Sequence, residues 1–257
     1  MSATQGGFGQ ALVHPTATVG EGTTLGHGTV VMAGARIGAR CALGCYVVVH
    51  EDVVVGDGVR IDDHAVLGKL PMKAAASAVT QLKPLPPLTI GNDGLIGAAV
   101  VVYRGAVIGP QVMLADQATV REDVSIGART IIGRGVTVEN KVTIGARCKI
   151  ETEAYITALS SIGEGCFIAP EVTFTNDNYL GRTKERFQHF GGVTLERGAR
   201  VGANVTFLPG ITVGADALVA AGSVVTKDVP ARMIVVGSPA RVVREVPPEQ
   251  LLDNQEP

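Results

Sequence analysis

The chain has 257 residues, 33 of them glycine and none tryptophan, with 18% charged and only 4% aromatic side chains, so its apolar mass is small and β-branched. Twenty-two Lys and Arg against 24 Asp and Glu leave a net charge of −2, which offers no broad positive field to nucleic acid or an anionic membrane. No stretch reaches the ~18 uninterrupted apolar residues of a membrane helix, the first ten residues carry no signal pattern, and four scattered cysteines form no metal-type or disulfide framework; the expectation is a soluble cytoplasmic chain with reduced thiols.

From Val13 onward an apolar residue recurs at every sixth position. One run extends from Val13 to Leu67, a second from Ile90 to Phe174 and a third from Leu195 to Val225, together 31 anchors without a polar exception. A period of six fits neither an amphipathic helix nor a heptad; it suits a short strand with alternate residues facing inward, followed by a tight turn. The prediction is an all-β solenoid. Glycine follows many anchors, as at Gly38, Gly109 and Gly127, and the residue four after the anchor is small or β-branched, as at Ala35, Val53 and Thr130. Cys41, Cys148 and Cys166 share that slot and are expected to be core residues.

The repeat breaks first at 68–89, GKLPMKAAASAVTQLKPLPPLT, where Lys69, Lys73 and Lys83 occur without an acid. Such a segment is either a solvated loop or an arm that contacts phosphate. It breaks again at 175–194, TNDNYLGRTKERFQHFGGVT. Five of the ten aromatics, Phe167, Phe174, Tyr179, Phe187 and Phe190, lie in or just before this second break, as expected of a loop that packs on a neighbour or stacks on a ligand. After Val225 the pattern stops, and Val246–Gln255 reads as a short capping helix with proline at its start.

Units such as IGARTI, IGRGVT, VENKVT and IGARCK resemble the hexapeptide-repeat acyltransferases. The resemblance implies a left-handed parallel β-helix with three units per coil, hence about ten coils and a prism roughly 45 to 50 Å long at ~4.8 Å per coil. Residues 1–229 would form it, with loops at 68–89 and 175–194, and 230–257 a strand and helix cap. The run VAAGSVVTKDVPARMIVVGSPARVV is similar to the C-terminal segment of members that use acetyl-CoA. By that resemblance the pantetheine lies near Gly202, Ala203, Ala220 and Gly222, with Lys227 and Arg241 near the adenine and phosphates; acetyl-CoA is the co-substrate and no metal is needed.

The segment FIAPEVTFTNDNYLGR, and to a lesser degree LGKLPMKAAASA, resembles the branch that N-acetylates amino sugars on dTDP or UDP, in particular dTDP-3-amino-3,6-dideoxyhexose enzymes that supply surface polysaccharides. This implies a homotrimer with sites between neighbours, where Lys69 and Lys73 meet the diphosphate of the nucleotide sugar. The amine must attack the thioester as the free base, and the resulting oxyanion must be held. Asn176 and Asp177 are the first candidates to receive the ammonium, and His189 is the candidate imidazole base ahead of His50 and His64. Glu151, Glu153 and Glu171, on neighbouring coils, could take the proton or bind sugar hydroxyls, and Tyr179 could bind the sugar. Two alternatives stand: O-acetylation of another small acceptor, and a scaffold without catalysis. A metal hydratase of the same fold would need three imidazoles including a close pair, which histidines 14, 27, 50, 64 and 189 do not contain.

Overall fold

The computed structural model describes residues 10–75, 80 and 83–255. Every anchor falls in a strand, most of them two residues long, and the strands wind round one three-sided column. Face A starts with Leu12–Val13, face B with Thr18–Val19 and face C with Thr24–Leu25. Each later coil adds one strand per face, giving sheets of 11, 10 and 12 strands, parallel throughout except for the last strand of face C. Strands stack in register, so that Val120 lies against Val138 and Val138 against Ile156.

Anchors from Val31 to Val225 are at most 4% exposed. They fill the interior with Val, Ile and Leu, joined by the edge-on pair Phe174 and Phe207, whose ring centroids are 5.1 Å apart. The three expected core cysteines are buried, and their thiols donate to carbonyls of the next coil, Cys148 to Gly163 at 3.0 Å and Cys166 to Glu196 at 3.1 Å. The glycine after the anchor is a steric requirement. A Cβ on Gly127 would sit 2.5 Å from the Ala146 nitrogen, because the turn off face B presses each coil's Cα onto the backbone of the next.

The three edges differ. On face B every anchor but Leu195 is followed by glycine; on face A none is, except at Gly68 where the first insert departs. The A/B edge carries side chains instead: Tyr103, Arg121, Glu139, Thr157 and Thr175 on successive coils. Both inserts leave this same edge. The first runs from the face A strand Val66–Lys69 to the face B strand Thr89–Ile90, and the second from Thr173–Phe174 to Thr194–Leu195. Five coil steps separate them, about 24 Å at ~4.8 Å per step.

The tail departs from expectation. Met233–Val236 pairs parallel with Leu218–Val219 on face C and antiparallel with Arg241–Glu245, so a hairpin covers the end of that sheet. In place of a capping helix there are two 3-10 turns, Pro248–Gln250 and Leu252–Asn254. They lie along the B/C edge. Leu252 fills the space over Gly165 and Gly198, its N–H donates to Asp216 Oδ1 at 2.9 Å, and Arg197 pairs with Asp253 at 2.6 Å. Anchoring each turn to the column replaces the internal ladder that a free helix would need. Among the described residues no helix is long and apolar enough to cross a membrane.

Candidate functional site

A cleft of about 350 Å³ runs along the A/B edge from one insert to the other. Thr80 of the first insert closes one end; Asn176, Asp177, Arg186 and Phe190 of the second close the other; Arg121, Glu139, Asn140, Tyr155, Thr157 and Ala158 form the wall between. The unit VREDVS supplies Arg121 and Glu122, and VENKVT supplies Glu139 and Asn140 one coil on. The Arg121 guanidinium donates to Glu122 at 2.9 and 3.2 Å, to Glu139 at 3.3 Å and to the Thr80 hydroxyl at 3.2 Å. It also stacks 5.0 Å from the centroid of Tyr103. Burial alone would lower the Arg121 pKa, but its bonds to Glu122 and the charge of Glu139 raise it. Glu122 and Asn140 are each 2% exposed, and Asn140 Nδ2 donates to Glu122 Oε1 at 2.9 Å. Burial, and secondarily Glu139, push the Tyr155 hydroxyl above the usual phenol range.

The second insert is organised by Asp177. Its carboxylate accepts the N–H groups of Tyr179 and Gly181, each at 2.9 Å, and pairs with Arg186 at 3.0 Å. Burial opposes the charge, yet those bonds and Arg186 together hold the Asp177 carboxyl below the usual carboxylate range. Arg186 in turn lies 5.4 and 5.2 Å from the Phe187 and Phe190 ring centroids. These aromatics pack on the insert's own guanidinium. Of the five counted in the sequence, Phe174 belongs to the core and Phe167 to the outer side of face C.

The residues singled out from sequence separate into groups. Asn176 and Asp177 line the cleft; Tyr179 and His189 lie beside it, with ring centroids 5.8 Å apart. His189 is outside the lining, its side chain 53% exposed and 3.7 Å from Glu185. Burial and Glu185 raise the Tyr179 pKa. Lys69 reaches the same edge, donating to the Tyr103 hydroxyl at 3.2 Å, whereas Lys73 is exposed on the first insert and Lys83 is tied to Asp123 at 2.9 Å. Glu151, Glu153 and Glu171 stand on a different edge, between faces C and A, where Glu153 pairs with Arg134 at 2.9 Å. The chain by itself therefore does not bring them to Asn176.

The six residues assigned to the acyl donor also divide. Gly202 and Ala220 line an apolar cavity of about 260 Å³ on face C with Phe167, Arg200 and Leu218. Ala203 and Gly222 are at the adjoining C/A edge, and Lys227 and Arg241 share a cavity of about 210 Å³ at the end of the column. Gly202 is bare for packing, since a Cβ there would meet the Ala221 nitrogen at 2.5 Å; Gly222, with φ +69°, faces open space.

Three buried side-chain polar atoms lack a hydrogen-bond partner among the described residues: Asn140 Oδ1, Arg186 Nε and Arg200 Nη2. The first two belong to residues lining the A/B cleft, the third to one lining the face C cavity. Unsatisfied buried groups are rare in folded proteins, and these three all belong to residues that line one of the two cavities. Sequence reading missed Arg121, Glu122, Glu139, Asn140 and Tyr155. The signal for Arg121 and Glu139 was an 18-residue period, one coil, at which a large polar residue holds the position after the anchor that glycine holds on face B, with Glu122 and Asn140 next to them.

Residues 34–69 and 105–140 match the family described as bacterial transferase hexapeptide (six repeats), and residues 192–227 match the hexapeptide repeat of succinyl-transferase. A Staphylococcus aureus (strain MRSA252) protein named provisionally as an acetyltransferase is 39% identical over 32% of this chain and 43% of its own. The galactoside O-acetyltransferase of Escherichia coli (strain K12) is 39% identical over 21% of this chain and 27% of its own. The 2,3,4,5-tetrahydropyridine-2,6-dicarboxylate N-acetyltransferase of Staphylococcus aureus (strain JH9) is 47% identical over 21% and 22%. The chain thus spans less than half the length of the curated relatives it matches. Among solved structures, Arabidopsis UDP-N-acetylglucosamine acyltransferase superposes with a TM-score of 0.55 over 91% of this chain and 72% of that one, at 19% identity, a likeness of fold alone. In its repeat, its column and these matched segments the chain is similar to the hexapeptide-repeat transferases.

Proposed function

We propose that the chain is an acetyl-CoA-dependent N-acetyltransferase acting on an amino sugar carried by a nucleoside diphosphate, of the dTDP-3-amino-3,6-dideoxyhexose kind. The observation that carries this reading is the cleft between the two inserts: it is polar, walled by a fixed Arg–Glu–Asn network and, among the described residues, left with one free donor and one free acceptor. That is the chemistry needed by a sugar rich in hydroxyls. At one end Lys69 presents an ammonium 3.2 Å from the Tyr103 hydroxyl, suited to a diphosphate, while exposed Lys73 extends from the same insert.

The donor side is read onto the face C cavity, where small residues leave a trough for a pantetheine arm. In a triangular column face C lies opposite the A/B edge, so one chain cannot close both halves round a single reacting atom. A homotrimer solves this by setting the A/B edge of one copy against face C of the next. There the neutral amine attacks the thioester carbonyl. The C–N bond forms, the C–S bond breaks with its electron pair on sulfur, and the proton lost by nitrogen goes to that sulfur, so coenzyme A departs as the thiol. Asn176, at the mouth of the second insert, orients the amine. Asp177 fastens the insert to Arg186 and to its own backbone, which leaves it a structural carboxylate and not a base.

The test is a screen of dTDP- and UDP-linked amino sugars with acetyl-CoA, following free thiol. Release that depends on the amino sugar is expected; release only with hydroxyl acceptors would establish O-acetylation instead, and absence of coenzyme A binding would favour a scaffold.

A further inference from the structure

We infer that Asn140 is the residue that selects an amine over a hydroxyl at the reacting carbon of the acceptor, its Oδ1 receiving an N–H of the nucleophile. The inference rests on the N-acetyltransferase reading above and names the contact by which that site would recognise its substrate class. Asn140 is 2% exposed, lines the cleft between the inserts and has no hydrogen-bond partner for Oδ1 among the described residues.

Its orientation is fixed by its neighbour. Glu122 Oε1 already accepts from Arg121 and can take only a donor from Asn140, so Nδ2 faces Glu122 at 2.9 Å and the amide oxygen is turned away from it. Asn140 is thereby a one-sided group, an acceptor that cannot rotate into a donor. A buried acceptor left unmade is costly, and a ligand that supplies N–H or O–H relieves the cost.

Amine and hydroxyl meet this acceptor differently. A neutral amine keeps its lone pair for the carbonyl while one N–H points at Oδ1, and it sheds a proton only after the C–N bond has begun to form. A hydroxyl has a single hydrogen, and it needs a base to take that hydrogen as it attacks. The carboxylates of the cleft are engaged: Glu122 and Glu139 by Arg121, Asp177 by Arg186 and two backbone N–H groups. Among the described residues lining the cleft an acceptor is available and an unengaged carboxylate is not, which favours nitrogen. Glu122 acts through Asn140 as a positioning residue.

The experiment compares wild type, Asn140→Leu and Asn140→Asp with acetyl-CoA and two probes, a dTDP-3-amino-3,6-dideoxyhexose and its 3-hydroxyl twin. Wild type should turn over the amine and not the twin. Asn140→Leu should lose about tenfold or more in kcat/KM for the amine, with KM for acetyl-CoA unchanged. Asn140→Asp is the discriminating variant. It keeps an acceptor oxygen toward the cleft but sets a second carboxylate against Glu122, so the acceptor role predicts the order wild type, Asp, Leu, whereas a purely structural role through Nδ2 predicts that Asp is the worst. Amine turnover that survives Asn140→Leu, or that falls furthest in Asn140→Asp, overturns the assignment and leaves N-acetylation standing. Wild-type thiol release with the hydroxyl twin alone, or with neither probe, overturns both.

Discussion

Arg121 is the point at which the A/B edge is most exposed to a single substitution. Its guanidinium is the only cation bonded to Glu122 among the described residues, and the Glu122 side chain is 3% exposed. Arg121→Met keeps the length and the packing on Tyr103 but strands that carboxylate. Removing one partner of a buried pair costs about 3 to 5 kcal/mol. At roughly 2 to 4 °C per kcal/mol for a chain of this size, the melting temperature should fall by on the order of 10 °C. Removing both charges should cost less than removing one, since Gln in place of Glu122 can still accept from Asn140 Nδ2 and needs no counter-charge. The assay is thermal unfolding of wild type, Arg121→Met, Glu122→Gln and the double variant. The double variant is expected to recover at least half of the loss. A single variant that melts with wild type, or a double variant whose losses simply add, would refute the view that this network is a coupled buried unit.

Four further outcomes follow. Gly127→Ala should destabilise by about 1 to 3 kcal/mol, because its Cβ would strike the next coil's backbone, whereas Gly222→Ala, facing open space, should cost only about 1 kcal/mol for its left-handed φ; chemical denaturation of the two compares them. The depressed pKa of Asp177 means that its support of the second insert is complete above the unfolded carboxylate value of about 3.9 and disappears as pH falls through the lower folded value. Hydrogen-exchange protection of the Tyr179 and Gly181 amides should therefore hold through the ordinary carboxylate range and be lost only below it, and Asp177→Asn should lower it at pH 7. Lys69 and Lys73 changed together to Ala should raise KM for the nucleotide sugar far more than for acetyl-CoA; equal effects would remove them from the diphosphate. Asn176→Ala should reduce kcat by roughly tenfold while the melting temperature holds.

How much of this was legible in the sequence depends on which period is read. The six-residue period locates every strand from Leu12–Val13 to Val224–Val225, because an apolar anchor is the one side chain each face must bury, and glycine marks the turns where coils touch. It does not say which edge a residue occupies. Glu153 and Glu171 stand one coil apart and share an edge, yet Asn176, only five residues after Glu171, lies beyond face A on the next edge. The 18-residue phase carries that information, and it also exposes the column from Tyr103 through Arg121 and Glu139 to Thr157, which hexad reading treats as ordinary turn residues. The capping helix failed for a different reason: Leu252 found the gap over Gly165 and Gly198, a tertiary opportunity that local propensity does not register. The lysines of the first insert illustrate a third limit, since the acid that binds Lys83, Asp123, comes from a coil far along the chain.

The central claim is that the acceptor cleft of one copy works with face C of another. Two impaired chains test it directly: Asn176→Ala, which damages the A/B edge and keeps about a tenth of the turnover, and Ala220→Trp, which fills the face C trough. Unfolded, mixed and refolded together, they should regain thiol release at about a quarter of the wild-type rate, the share of neighbouring pairs in which an intact edge meets an intact face under random assembly. A mixture no more active than the two variants measured apart would contradict a site shared between copies.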